Sequence, residues 1–309
     1  MKERLDVVLT EKGLFPSREK AKAAIMAGIV YVDGERIDKA GTSVNTSAEF
    51  LIKENLCPYV SRGGLKLEKA LQTFEIDLTD AICMDIGAST GGFTDCMLQS
   101  GAKTVYAVDV GYGQLDWKLR NDTRVVNMEK VNIRYLDTTE LKEKIDFISI
   151  DVSFISLKLV FPVASALLKE TGQLVCLVKP QFEAGRSQVG KKGIVKDKSI
   201  HKEVIVNVIE YAKANGMYPH GIDFSPVTGT KGNIEYLILF GKAAYSKDFP
   251  IDAIVNEAHA EFFHHRFIYE ELQKSKKKSN RQNAKMTDAK DVFAEIEKKL
   301  EKNEKEKTP

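Results

Sequence analysis

The stretch Asp85-Ile86-Gly87-Ala88-Ser89-Thr90-Gly91-Gly92-Phe93-Thr94-Asp95, entered by the apolar run Ala81-Ile82-Cys83-Met84, constrains this chain more than any other. A short hydrophobic run, a cluster of glycines and then apolar residues at helical spacing (Phe93, Cys96, Met97) predict a strand, a tight turn and a helix. Such a turn leaves backbone N–H groups free at the helix start, where a ligand can be cradled. A second run, Thr104-Val105-Tyr106-Ala107-Val108, predicts a strand ending at Asp109, a position from which a carboxylate can accept hydrogen bonds from both hydroxyls of a ribose. A purely structural turn would need glycine only for a positive φ; Asp109 at this spacing favours the nucleotide reading.

The pattern is D-x-G-x-x-x-G-G rather than G-x-G-x-x-G, so the turn is shaped differently from a dinucleotide fingerprint. This moves the expected cofactor from NAD to S-adenosylmethionine (SAM). Asp85, Gly87, Ala88, Ser89, Gly91, Gly92 and Phe93 are the expected contacts from the turn, with Asp109 at the ribose and Asn132 after the third strand.

From Ile82 onward apolar runs and helical patterns alternate, which predicts an α/β, Rossmann-like fold with a mostly parallel sheet covered by helices on both faces. Strands are expected at 82–86, 104–109, 124–128, 146–151, 173–179, 217–224 and 233–240, and the main helices at 91–100, 156–169 and 198–214. The last two strands have no helix between them, so one of the seven is expected to be antiparallel. A further helix opens at Lys66 and carries Leu67, Ala70, Leu71 and Phe74.

Residues 1–55 read as a small α+β unit of their own. Leu5, Val8 and Leu9 share a helical face; Ser17 caps a second helix that ends at Gly28; Ile29-Val30-Tyr31-Val32, the turn Asp33-Gly34 and Glu49-Phe50-Leu51-Ile52 predict a small sheet. Arg4, Arg18, Lys20 and Lys22 can share a face suited to phosphates, or can belong to an ordinary solvated face, since Glu3, Glu11 and Glu19 are interleaved. A linker at 56–65 includes Arg62 and Gly63-Gly64. Residues 66–245 form the larger domain, and 246–309 a helical and basic polar extension, partly disordered, with the run Lys274-Ser275-Lys276-Lys277-Lys278-Ser279-Asn280-Arg281.

Composition excludes several classes. The four cysteines (Cys57, Cys83, Cys96, Cys176) have no C-x-x-C spacing and the histidines no ligand spacing, so neither a metal nor a disulfide is expected, and a reducing cytoplasm is the expected location. No apolar run approaches the roughly 18 residues of a membrane span. A net charge of +2 says little about partners by itself.

Ligands of open α/β sheets sit beyond the carboxyl ends of the strands. Phe147-Ile148-Ser149-Ile150 ends at Asp151, Leu174-Val175-Cys176-Leu177-Val178 ends at Lys179-Pro180, and Thr228-Gly229-Thr230-Lys231-Gly232-Asn233 delivers Glu235 near the start of the last strand. Singly, each charge reads as a solvated terminus. After the fifth strand, Glu183-Ala184-Gly185-Arg186-Ser187-Gln188-Val189-Gly190-Lys191-Lys192-Gly193 is a glycine-rich cationic loop, either a mobile surface loop or a lid over an RNA backbone, with Arg186, Lys191 and Lys192 as its contacts.

Two resemblances sharpen these readings. R-L-D-x-x-L, S-R-x-x-A-x-x-x-I-x-x-G and V-x-V-D-G, over residues 3–53, resemble the alpha-L RNA-binding domain found in a small-subunit ribosomal protein and in many pseudouridine synthases. S-R-G-G-x-K-L, D-I-G-A-S-T-G-G-F-T-D, D-V-S-F-I-S-L, V-K-P-Q-F-E and G-N-I-E-Y-L resemble the FtsJ-like 2′-O-ribose methyltransferases, and the whole resembles the TlyA or haemolysin A family. The resemblance implies a SAM-dependent methyltransferase acting on ribosomal RNA or ribosomal subunits, with Lys66, Asp151, Lys179 and Glu235 as a catalytic tetrad and Lys179 at its centre. It leaves the oligomeric state open.

Lys179 can act as the base or, if protonated, can orient the hydroxyl and stabilise the developing alkoxide. A second ammonium about 4 Å away would lower a lysine pKa by about three units at an effective dielectric of about 20, and Lys66 is the expected source. Asp151 and Glu235 push the other way. The rival readings are a base amino methyltransferase, to which Asp151-Val152-Ser153-Phe154 bears a superficial likeness without its prolines, a non-enzymatic haemolysin or ribosome-assembly factor, and a nicotinamide enzyme.

Overall fold

The computed structural model describes residues 2–262 other than 27, 53–56, 140, 142, 230, 246 and 247. Residues 1–251 form one compact unit and 252–309 a second, of which 252–262 are described and helical. The basic run at 274–281 and most of the expected extension lie outside the described residues.

The N-terminal segment builds strand β1 (Lys2–Arg4), helices α1 (Leu5–Glu11) and α2 (Arg18–Met26), and strands β2 (Val30–Val32), β3 (Glu35–Arg36), β4 (Ser43–Asn45) and β5 (Phe50–Ile52). It has its own apolar core around Leu5, Leu9, Ala21, Ile25 and Val30. Asp33 (φ 50°) and Gly34 (φ 79°) make the hairpin turn joining β2 to β3. The pairing of β1 with β4 lacks a sequence signal, because each strand is three residues long and without apolar alternation.

The larger part contains α3 (Gly63–Thr73), β6 (Ile82–Ile86), α4 (Gly92–Gln99), β7 (Thr104–Asp109), α5 (Trp117–Arg120), β8 (Val125–Glu129), β9 (Ile145–Ile150), α6 (Phe161–Leu167), β10 (Leu168–Val178), α7 (Pro180–Glu183), α8 (Lys198–Lys213), β11 (Tyr218–Phe224) and β12 (Tyr236–Gly241). Seven strands form one sheet in the order β11-β12-β10-β9-β6-β7-β8, parallel except for β12, which runs against both neighbours. β9, β12 and the half of β10 from Leu174 to Val178 are buried almost throughout, as the apolar runs there require when helices cover both faces.

Several expected boundaries shift. The helix expected at 156–169 is a short 3-10 turn followed by α6, and it stops at Leu167 because Leu168 turns extended and pairs with Ile145, five residues before the expected strand. The helix expected from Lys66 begins at Gly63. Gly64 is required there, since a Cβ would stand 2.3 Å from the Tyr59 ring. The last strand begins at Tyr236, after rather than at Asn233.

The reversed direction of β12 decides the site. Its start, Tyr236, lies in register with Val178 at the end of β10, and the end of β9 at Ile150 lies in register with Ile86 at the end of β6. The residues just beyond these positions, Asp151, Lys179 and Glu235, therefore come out along one edge of the sheet.

Candidate active site

The turn after β6 is held from below by Asp85. Its buried carboxylate accepts hydrogen bonds from Thr94 N (2.9 Å), Thr94 Oγ1 (2.7 Å) and Ser149 Oγ (3.1 Å), tying the start of α4 to β9. Burial raises its pKa to about 7 against these hydrogen bonds. Gly87 (φ 91°) follows, and a Cβ there would stand 2.4 Å from the carbonyl oxygen of Asp151. Only glycine lets the turn close on the next strand end. Asp151 N completes the contact by donating to Ile86 O at 2.9 Å.

Asp109, at the end of β7, accepts from Ser89 N (2.8 Å) and Gly111 N (2.7 Å), so its carboxylate presently braces the turn. Gly91 caps α4 in the left-handed conformation. Asn132 uses its side-chain oxygen to cap the short turn at Ile133–Tyr135 and does not line the cavity described next.

A cavity of about 180 Å³ opens over the turn, lined by Ser61, Gly63, Lys66, Asp85, Gly87, Ala88, Ser89, Thr90, Gly92, Phe93 and Asp151. Gly92 is as crowded as Gly87, with its would-be Cβ 2.2 Å from Ser61 Oγ. Glycines at both ends of the turn let it pack directly against the Asp151 strand end and the Ser61–Gly64 segment, which together wall the cavity.

Four charged groups gather at the cavity's edge. Lys66 Nζ lies 2.6 Å from Glu235 Oε2, and Lys179 Nζ lies 2.5 Å from Asp151 Oδ1 and donates to Ser153 Oγ at 3.1 Å. Lys179 and Glu235 are 8% and 2% exposed. Burial works against the Lys66 ammonium, yet the carboxylates of Asp151 and Glu235 outweigh it and hold its pKa above the ordinary lysine value. Burial likewise works against the Asp151 carboxylate, and Lys179 and Lys66 outweigh it to hold its pKa below the usual range. Each lysine thus has a carboxylate of its own.

Several participants carry no spacing signal in the sequence. Ser153, Ser61 and Thr90 are small polar residues inside glycine-rich or strand-end motifs. Phe154 is 90% exposed at φ 64°, and its ring lies 4.9 Å from that of Phe182. Glu183, expected at the head of a surface loop, instead accepts from Ser156 Oγ (2.7 Å) and Leu157 N (2.8 Å), and burial raises its pKa. The cationic loop therefore starts at Ala184. Phe154, Phe182 and Arg186 border a second cavity, of about 460 Å³.

Residues 59–242 match the FtsJ-like methyltransferase family, and residues 3–50 match the S4 domain. The chain belongs to the FtsJ-like methyltransferase family. This FtsJ-like methyltransferase is 52% identical over 265 residues to YqxC of Bacillus subtilis, which carries an rRNA methyltransferase name, covering 84% of this chain and 94% of that one. It is 42% identical to the 16S/23S rRNA (cytidine-2′-O)-methyltransferase TlyA of Mycobacterium tuberculosis, over 76% of this chain and 88% of that one. A solved Streptococcus thermophilus structure that carries a hemolysin name is 50% identical, with a TM-score of 0.70, covering 86% and 98% of the two chains.

The remaining expected contacts of this methyltransferase are on its surface. Arg4 and Arg18 both reach the buried Asp6, at 3.0 and 3.1 Å, so one carboxylate orients two guanidinium groups that are each about half exposed. The Arg4 hydrogen bond leads and Arg18 adds to it, against burial, in holding the Asp6 carboxyl down to about 2. Lys20 and Lys22 are exposed on α2, and Lys191 and Lys192 are exposed on the cationic loop. Arg62 is partly withdrawn from solvent, and burial lowers its pKa. Among the described residues no helix is long and apolar enough to cross a membrane, and no cluster of side chains is arranged to hold a metal ion.

Proposed function

We propose that this enzyme methylates a ribose 2′-hydroxyl of ribosomal RNA, using SAM as the donor and Lys179 as the central residue of the group Lys66, Asp151, Lys179 and Glu235. The observation that carries the reading is the ion pair of Lys179 with Asp151 beside the cavity whose floor is the glycine turn. The relatives' names support RNA as the substrate. SAM, when bound, supplies a methyl group on a positively charged sulfur. Asp85 and the Gly87 to Phe93 turn, which line the cavity, would hold it, with Asp109 at the neighbouring strand end; Asn132, committed to its own turn, is not among them.

Lys179 donates to Ser153 and lies as an ion pair against Asp151, which places its ammonium beside the attacking oxygen. Holding that oxygen in line supplies most of the rate, and an ammonium beside it stabilises the alkoxide as charge develops. Asp151 keeps Lys179 in place, and Glu235 does the same for Lys66. The positioning role rests on geometry, since Lys179 is held between the Asp151 carboxylate and Ser153.

RNA is gripped at two places. Residues 1–55 form an S4-type RNA-binding domain, with Arg4, Arg18, Lys20 and Lys22 on phosphates. Residues 66–245 form the catalytic domain, joined by a linker at 56–65 that presents Arg62. On the loop after β10, Arg186, Lys191 and Lys192 meet the backbone, and the exposed Phe154 offers a ring on which an unstacked base can lie. Residues 246–309 extend beyond the catalytic domain, and the whole works in the cytoplasm.

The test is ribose-methylation mapping on ribosomal RNA with wild-type protein and Lys179→Ala. Wild type is expected to modify a ribose, and the variant to lose methyl transfer while SAM still binds. Near-normal turnover by the variant, or a methyl group on a base, overturns the reading.

A further inference from the structure

Glu235 is flanked on β12 and its approach by polar side chains that have no part in the crevice. Asn233, 3% exposed, accepts from Val195 N at 3.0 Å through Oδ1 and donates to Gly193 O at 2.9 Å through Nδ2. Tyr236, fully buried, places its hydroxyl 2.7 Å from His201 Nδ1, and His201 Nε2 lies 3.1 Å from Val195 O. A carbonyl can only accept, so Nε2 carries the proton and Nδ1 accepts from the tyrosine hydroxyl. Burial lowers the His201 pKa, which keeps this neutral form, although Asp197 nearby acts in the opposite direction.

Both backbone groups of Val195 and the carbonyl of Gly193 are thus taken by side chains from α8 and from the segment that carries Glu235. Just before them the chain makes a tight turn: Gly193 N donates to Gly190 O at 2.7 Å, Gly190 N to Ile194 O at 3.2 Å, and Gly193 sits at φ 74°. Lys191 and Lys192 occupy the tip, exposed. A satisfied buried polar network rigidifies what it holds.

We infer that Asn233 and the His201–Tyr236 pair are positioning residues that hold the Lys191–Lys192 turn at a set place relative to Glu235, making it a preformed clamp for an RNA phosphate and not a mobile lid. This rests on RNA being the substrate. Preorganised cations bind without the cost of ordering a loop.

Asn233→Ala and Tyr236→Phe are compared with wild type by trypsin cleavage after Lys191 and Lys192, which needs no RNA, and by affinity for a ribosomal RNA fragment. The loop cleavage is expected to speed up about tenfold in Asn233→Ala and less in Tyr236→Phe. RNA affinity falls about tenfold in Asn233→Ala, SAM affinity stays unchanged, and the RNA effect vanishes when Lys191 and Lys192 are already alanine. Unchanged cleavage, or an RNA loss that persists in the Lys191→Ala/Lys192→Ala background, overturns the inference. If Asn233→Ala does not fold, Tyr236→Phe decides by the same readouts. Failure of wild type to methylate RNA is a separate result, and would count against the proposed function instead.

Discussion

Glu235 Oε2 lies 2.6 Å from Lys66 Nζ across 169 residues of chain, and both side chains are nearly out of water, at 3% and 12% exposure. Gly229 packs so closely that a Cβ there would stand 2.5 Å from the other carboxylate oxygen. A buried ion pair contributes little net stability when whole, yet removing one partner strands a charge and costs about 3–5 kcal/mol. Glu235→Ala is therefore expected to lower unfolding stability by about 3 kcal/mol in urea denaturation. Lys66→Met/Glu235→Leu recovers most of that loss and stays inactive, which separates the folding role from the chemistry.

Asp85 predicts a pH dependence. Its pKa is 3.8 when unfolded and about 7 when folded, so between those values the folded state holds the extra proton. Its contribution to stability is complete below about pH 4 and is lost as the pH rises through 7, by at most about 4 kcal/mol. The stability of wild type relative to Asp85→Asn should shrink over that window and level off above it, as read from urea midpoints at a series of pH values.

Gly87→Ala combines a strained φ of 91° with a Cβ 2.4 Å from the Asp151 carbonyl. The turn must move away from Asp151, so SAM affinity measured by calorimetry is expected to fall at least tenfold, with a stability loss of about 1–3 kcal/mol.

Phe154 has the opposite profile, being 90% exposed on a left-handed backbone. Phe154→Ala should leave the melting temperature nearly unchanged and weaken RNA binding by about 1–3 kcal/mol, the worth of one base stacked on an aromatic ring. An unchanged RNA affinity would remove Phe154 from the interface.

Local pattern made much of the sheet legible: the apolar runs ending at Ile86, Asp109, Ile150 and Val178 are strands, and the glycines after Ile86 turn the chain into α4. The short pair β1–β4 and the extension of β10 back to Leu168 were not, because they depend on partners far along the chain and not on local periodicity. In the site, the charged residues at strand ends stand out by their contrast with the apolar runs before them. Ser153, Glu183, Asn233 and His201 do not, since ordinary polar residues acquire meaning only from what they touch. Asp6 is the same kind of omission: the sequence offers Arg4 and Arg18 as members of one face, and one buried carboxylate joins the two.

Because β12 runs against its neighbours, the rear rim of the sheet collects the opposite chain ends. Gln173, Gly241 and Tyr218 lie in register there, with Glu170 exposed beside Lys242. A fluorophore or affinity handle attached at Glu170 would sit a strand's length away from Lys179, so the protein can be tethered or watched from behind while the rim that carries Asp151, Lys179 and Glu235 stays unobstructed.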